Sequence, residues 1–478
     1  MISKKLLIFD TKQKASIIFF LIFFLIFFIL SSIKIYNLRS NYYDLGFYLN
    51  YYLNLVTGNY DVLFNSNYQL ANLLLYPIMK ILPFYYWSYF LIFIQSICLS
   101  LPIFFLKNRV NFICIYLLSA VLWFTALTEF HLDAIIIPII FYLNKLLDGN
   151  KIDKKILLLF ALILSIKLVF ILLIIGYLIY FYYNKFKICK NFFYFFIFCV
   201  VYFIIFFNNI NIPTRNAIKD LLSSIFTTNN ILHISSFKNM LITILVLLSS
   251  CSFLVFNNWK KIIIIFPLIF FYFVLPSDSY KKYYYHYYAP IFPIFIIIFI
   301  DTFDSFVKKF SSIYTKSLLL IIPFISNFFF SPSPISYSFL FSYKWAFEYR
   351  AYLHDNSILL SRLKLKELVI DQSINRKIIV MIENNLLITE LISKNITVKV
   401  FPDNAEFKNY DFILLKSSPP HYILDNICEE KFTFKCLDYD FIKKYEEYLK
   451  KTNLNFSQVY KDNNIIIFAN KKLDENIN

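Results

Sequence analysis

The sequence predicts an all-α polytopic membrane domain of about eleven transmembrane helices, followed by a small extracytoplasmic α/β domain. Three observations carry this. Of 478 residues, 59% are hydrophobic and only 16% charged, against about 25% charged in an ordinary soluble domain. The hydrophobic residues form long runs, the first of which (Ala15–Ile33) matches the roughly 20 residues that span a bilayer. After Ser331-Pro332-Ser333-Pro334 the composition changes to mixed polar and apolar. The division is therefore 1–332 for the membrane domain and 333–478 for the tail domain.

Composition also excludes. The four glycines (Gly46, Gly58, Gly149, Gly176) have no spacing that cradles a phosphate or a dinucleotide. The net charge is +17, but the lysines flank apolar runs, which is membrane topology and not a nucleic-acid surface. Cys98, Cys114, Cys189, Cys199 and Cys251 lie in or beside apolar runs as small packing residues. Cys428 and Cys436 are in the tail, where an oxidising compartment would let them pair.

Basic flanks orient the spans in order. Lys4, Lys5, Lys12 and Lys14 keep the N-terminus cytoplasmic ahead of an uncleaved first span. The segment 34–83 then lies outside, with Gly46–Leu55 and Leu70–Ile81 as helices along the interface. Span two (Phe84–Leu106) returns to Lys107 and Arg109. Span three (Val110–Thr128) exits to a tight loop at Glu129–Asp133, and span four (Ala134–Leu147) returns to Lys151, Lys154 and Lys155. Ile156–Tyr183 is too long for one helix and has Lys167 near its middle. A charge at the bilayer centre costs about 3 kcal/mol, so two short helices turning outside at Lys167 are expected. Span seven (Asn191–Phe207) follows the cluster Lys185, Lys187 and Lys190. Span eight (Met240–Phe256) ends at Lys260 and Lys261, and span nine (Ile262–Pro276) exits into Ser277–Tyr288. Span ten (Ala289–Ile300) returns to Lys308, Lys309 and Lys316, and span eleven (Ser317–Phe330) exits for the last time.

In the tail, Arg376–Ile382, Ile396–Phe401, Asp411–Leu415 and Asn464–Ala469 have the pattern of strands. Leu386–Lys394 and Phe441–Lys451 have that of helices. Asn395-Ile396-Thr397 and Asn455-Phe456-Ser457 are glycosylation sequons compatible with an outside tail.

Ionisable groups beside membrane spans are functional candidates by default. Asp44 follows span one, either as a reactive carboxylate or as a helix cap. Glu129, His131 and Asp133 alternate in the tight external loop, either as an ordinary polar turn or as three groups facing one cavity, where they can hold a divalent ion. Lys167 pairs with an acid, binds an anion or snorkels. Lys281, Lys282, His286 and Tyr287 belong to an aromatic–cationic segment entering span ten, suited to a lipid phosphate and a stacked sugar, or to an interfacial belt. All four positions fall on the outer face of this topology.

Tyr43-Asp44-Leu45-Gly46, Phe130-His131 leading to Pro138, His286-Tyr287-Tyr288-Ala289-Pro290, and Asn384-Asn385-Leu386 through Val400-Phe401-Pro402 follow one another in this order. In this the chain resembles the prokaryotic membrane family called domain of unknown function 2079, and is similar to the GT-C superfamily of lipid-phosphate-sugar-dependent glycosyltransferases. It departs from the family pattern at Asn67-Tyr68-Gln69, at Leu132-Asp133 and at Leu168-Val169. The resemblance implies transfer of a sugar from a polyprenyl-phosphate donor to a glycan, protein or lipid acceptor on the outer face of the cell membrane. Asp44 would be the general base on the acceptor hydroxyl, with Lys167, Lys281, Lys282 and His286 around the departing phosphate. Glu129 and Asp133 would orient the sugar or hold a divalent metal ion, the one cofactor the pattern leaves room for. The alternatives are a transporter or flippase of lipid-linked glycans, and a catalytically silent assembly protein.

Overall fold

The computed structural model describes residues 11–38, 43–60, 70–106, 109–127, 129–147, 151–188, positions within 192–201, 234–275, 278–310, 313–341, 352–353, 356–382, 388–400, 410–416 and 456–471. The chain is mostly helical, with a small sheet near its C-terminal end. Among the described residues, three stretches are long and apolar enough to cross a membrane: Lys14–Tyr36, Phe84–Phe105 and His286–Lys309. Two bent pairs raise the number to five if each counts as one span. These helices are compatible with membrane insertion.

Helix α1 (Thr11–Tyr36) packs its aromatic residues against α4 (Trp87–Ser100) and α6 (Ala120–Leu127). Phe24 and Phe28 meet Phe93 edge-on at 5.3 and 5.8 Å, and Phe27 meets Trp123 at 5.0 Å. Helices are present in both stretches where the sequence places them, as α2 (Tyr43–Val56) and, after a 3₁₀ turn at Leu70–Leu74, α3 (Tyr76–Ile81).

Span three is not one straight helix. It breaks into α5 (Val110–Leu117) and α6, bent by 59°. Side chains take up the carbonyls that the break frees: Trp123 Nε1 donates to Leu117 O at 2.7 Å and Asn327 Nδ2 to Leu118 O at 3.1 Å. An apolar interior tolerates a helix break only with such replacement partners. The stretch expected as span four holds α7 (Ile136–Leu147), entered through a 3₁₀ turn at Leu132–Ile135.

The expected pair of short helices around Lys167 is observed as α8 (Lys154–Ile166) and α9 (Ile171–Tyr183). Asp153 starts α8 by accepting from Lys155 N and Ile156 N, both at 3.0 Å. At the break Lys167 is extended, with φ −160° and ψ 130°. The bases of α8 and α9 are joined by a short parallel bridge of β1 (Lys151–Ile152) and β2 (Lys187–Ile188), which the sequence reading did not anticipate.

The boundary between spans eight and nine needs correction. The helix Ile234–Ser250 ends six residues before Phe256, and the chain reverses by 113° into a 3₁₀ segment, Leu254–Ile264, that runs through Lys260 and Lys261. Ser252 and Phe253 are both left-handed, and the Phe253 N–H closes on Leu248 O at 2.9 Å. Lys261 then pairs with Asp301 and donates to Asn144 Oδ1 at 2.7 Å. That pairing, with Arg109 on Asp304 at 2.6 Å, accounts for the helix Phe292–Lys309 continuing beyond Ile300. Gly176 in α9 lies so close to the Ile264 carbonyl that a Cβ there would sit 1.9 Å from its oxygen.

The tail sheet has the order β4-β3-β5-β7-β6, from β3 (Ile378–Ile382), β4 (Ile396–Val400), β5 (Phe412–Lys416), β6 (Phe456–Lys461) and β7 (Ile465–Asn470). The first three strands are parallel, and β7 is antiparallel to both β5 and β6. Four strands fall where the sequence places them, whereas β6 occupies the second sequon. The expected helix Leu386–Lys394 is reduced, among its described residues, to a 3₁₀ turn at Thr389–Leu391. Phe441–Lys451, Cys428, Cys436 and most of span seven lie outside the described residues. The tail is tied to α1 by Arg362, which pairs with Glu390 and donates to Ile35 O at 3.2 Å and Tyr36 O at 3.0 Å.

Candidate functional site

The loop 129–135 is held from below by the C-terminus of α6. Its last carbonyls are each taken by a side chain: Gln95 Nε2 on Thr125 O at 2.9 Å, Ser31 Oγ on Ala126 O at 2.8 Å, and Lys34 Nζ on Leu127 O at 2.6 Å. A cation at a helix C-terminus meets the negative end of its dipole, which explains why Lys34 is buried. Gln95 then reaches further. It donates to Glu129 O at 3.0 Å and accepts from the His131 N–H at 2.7 Å, so one amide fixes both ends of the turn. Tyr48 of α2 stacks edge-on against Phe130 at 4.9 Å.

From this platform Asp133 projects into a polar cluster. Its Oδ2 accepts from Lys167 Nζ at 3.1 Å, and His286 Nε2 lies 3.7 Å away. The Asp133 side chain is 1% exposed and that of Lys167 28%, so the carboxylate is inside and the lysine side chain is partly exposed. His286 Nε2 is 3.4 Å from Lys167 Nζ, and since an ammonium can only donate, that imidazole nitrogen is the acceptor. The rings of His131 and His286 stack at 3.7 Å with 19° between planes. Lys167 also sits 5.2 Å from the centre of the Tyr287 ring, and Tyr287 lies 4.3 Å from Tyr280.

Burial raises the Asp133 carboxyl above the usual carboxylate range, while the Lys167 charge and hydrogen bond oppose it. Burial, and then the Lys167 charge, push the His131 imidazole down to about 3. His131 is therefore neutral at physiological pH, and the formal charges among these two and Lys167 are those of one ion pair. The Asp133 Oδ1 atom is buried without a hydrogen-bond partner among the described residues, a costly arrangement for a carboxylate oxygen.

The structure thus gathers His131, Asp133, Lys167, His286 and Tyr287 from three separate segments. Glu129 does something different. Its Oε2 accepts from the Leu45 N–H at 3.0 Å, which caps the first turn of α2. Asp44, the residue before, is the second residue of that helix and so stands beside the loop, while its side chain is outside the described residues. Lys281 and Lys282 are buried, with Lys282 5.8 Å from the Tyr284 ring; neither is joined to Asp133 by a described contact. Among the described residues no group of three His, Cys, Asp or Glu is arranged to hold a metal ion. Asp133 and the histidines come nearest, but the Lys167 ammonium occupies the place beside Oδ2 that a cation would need.

Gln95, Lys34 and Ser31 are the positions sequence reasoning missed. Each is a polar side chain in or at the edge of an apolar run; the rule that selected Lys167 selects Lys34 directly, and Gln95 and Ser31 when uncharged groups are included. Comparison with family models, with curated proteins and with solved structures finds no match for this chain.

Proposed function

We propose that this protein is an integral-membrane glycosyltransferase that moves a sugar from a polyprenyl-phosphate donor to an acceptor on the outer face of the membrane. In this proposal the fold is GT-C-like, with about eleven spans, a cytoplasmic N-terminus and an extracytoplasmic tail. The observation that carries it is Lys167. A partly exposed lysine stands at a break between two apolar helices, backed by a buried carboxylate and two stacked imidazoles, and the loop that carries this carboxylate also caps the helix bearing Asp44 through Glu129. Such a cation can neutralise a departing lipid phosphate, and surrounding aromatic rings exclude water from it.

In this mechanism Asp44 takes the proton of the acceptor hydroxyl as that oxygen attacks the anomeric carbon. The bond from that carbon to the phosphate oxygen breaks, and the lipid phosphate leaves with the electron pair against Lys167. Lys281 and Lys282 contribute positive potential from behind the aromatic wall. The topology is supported by β1–β2: that bridge joins two lysine-rich segments which the positive-inside rule assigns to the same compartment.

A second reading, a transporter of lipid-linked glycans, draws on the broken helices, since discontinuous helices at mid-membrane are usual in carriers. A glycan profile of cells lacking the gene separates the readings. Under the transferase reading one surface sugar disappears, wild type restores it, and Asp44→Ala does not although the variant reaches the membrane. Rescue by Asp44→Ala removes Asp44 from the chemistry. An unchanged profile in the deletion favours the catalytically silent assembly protein, and accumulation of sugar-loaded lipid inside favours the carrier.

A further inference from the structure

The cluster around Lys167 has a second polar pair that the phosphate chemistry does not use. Tyr272, in the helix Phe266–Val274, is 1% exposed, and its hydroxyl has no hydrogen-bond partner among the described residues. Asp133 Oδ1 is in the same condition. Printed contacts aside, one cluster links the two: the Tyr272 ring lies 5.9 Å from Tyr287 and 5.7 Å from Tyr280, Tyr287 lies 5.2 Å from Lys167 Nζ, and that ammonium is 3.1 Å from Asp133 Oδ2. An unmade hydrogen bond at a buried group costs about 1–3 kcal/mol. Two such groups in one cluster, a carboxylate oxygen and a phenol able to donate and accept, match a ligand that brings its own hydroxyls.

The surroundings narrow the ligand class. Tyr280, His286 and Tyr287 are half-buried; Tyr287 presents its ring to Lys167 and lies 4.2 Å from the His286 ring and 4.3 Å from the Tyr280 ring. Flat rings beside a carboxylate and a phenol suit a pyranose, whose C–H face packs on aromatic carbon while its hydroxyls turn to the polar pair. An anion at Lys167 leaves Asp133 Oδ1 and the Tyr272 hydroxyl unmet, and so does an apolar chain.

We propose that Asp133 Oδ1 and the Tyr272 hydroxyl, with the neighbouring rings of Tyr280 and Tyr287, form the sugar-recognition subsite of the donor site. This rests on the transferase reading for the phosphate at Lys167 but adds the part that distinguishes a sugar-bearing lipid from a bare one. Asp133 thereby has two roles on its two oxygens: Oδ2 positions Lys167, and Oδ1 accepts from a sugar hydroxyl.

The test is binding to the full chain in detergent micelles. The probes are a short-chain polyprenyl phosphate, alone and bearing glucose, mannose, galactose or N-acetylglucosamine. In wild type at least one sugar should raise affinity about tenfold over the bare lipid phosphate, the worth of about 1.4 kcal/mol of added contact. In Tyr272→Phe that ratio should fall towards one. The substitution removes only a hydroxyl with no hydrogen-bond partner among the described residues, so the fold is retained, and unchanged Trp fluorescence checks this. A ratio of one in wild type, with the bare lipid bound, overturns the sugar subsite and leaves the lipid-phosphate reading standing. A ratio in Tyr272→Phe equal to that of wild type overturns it as well. Failure of every lipid phosphate to bind overturns both.

Discussion

Replacing Lys167 by Met tests the ion pair at the centre of the site, because it removes the charge and keeps much of the aliphatic bulk. Asp133 would be left as a buried carboxylate with no cation. Breaking a buried pair in this way costs about 3–5 kcal/mol. Lys167 is 28% exposed, so the low end, about 3 kcal/mol, applies at pH 7. Protonation sets a ceiling. Burial already raises the folded-state value above the ordinary one, and loss of Lys167 raises it further. The penalty is absent below the unfolded value near 4, and grows as pH rises towards the folded one, by at most about 1.4 kcal/mol for each pH unit. The difference between Lys167→Met and wild type should therefore be about 3 kcal/mol at pH 7, at most about 1.4 at pH 5, and close to zero at pH 4. Denaturant unfolding in micelles, followed by the fluorescence of the four tryptophans, reads this directly. The double variant Lys167→Met/Asp133→Asn should recover most of the loss at pH 7. A pH-independent difference, or a double variant no better than Lys167→Met, would refute the coupling.

Three further predictions follow from single contacts. Gly176→Ala drives a methyl into the Ile264 carbonyl and should destabilise by about 1–3 kcal/mol; an unchanged unfolding midpoint would show that α9 and the Leu254–Ile264 segment do not touch there. Glu129→Ala removes the acceptor at the start of α2 and should cost about 1 kcal/mol, while Glu129→Gln keeps an acceptor and should cost much less. Equal losses in those two would make the charge, and not the cap, its contribution. Arg362→Ala unpairs Glu390 and frees the Ile35 and Tyr36 carbonyls, so hydrogen exchange in β3 and at the C-terminal turn of α1 should accelerate together, by the factor of about a hundred that 3 kcal/mol implies. Acceleration in β3 alone would mean that Arg362 stabilises the tail without fastening it.

Sequence legibility followed the physics of each signal. Lysine flanks and apolar length located α1, the Phe84–Phe105 stretch and the α8–α9 pair, since both are averages over many residues. The cost of a mid-membrane charge located the break at Lys167 itself. Four tail strands were legible because branched residues cluster there. The left-handed pair Ser252–Phe253 was not, because neither residue type favours that conformation and tertiary packing imposes it. Nor was the partnership of Asp133, Lys167 and His286, which lie up to 153 positions apart: sequence named each as expensive, but only the packing of three segments decides that they offset one another. Tyr272 had no signal, being one tyrosine among 38.

The bridge between Lys151–Ile152 and Lys187–Ile188 turns α8 and α9 into a frame with a fixed foot. Backbone hydrogen bonds hold that foot, so its position is insensitive to which side chains it carries. Lys167 stands at the apex, thirteen helical residues above on either side, with Gly176 against Ile264 as a flank stop. Each residue of a helix contributes 1.5 Å of height and 100° of rotation. Adding or removing one residue in α8 would swing the apex ammonium through more than a quarter turn, away from Asp133, with no change in composition. The frame should accept many substitutions along its apolar faces and very few changes in length, a tolerance pattern set by counting and not by chemistry.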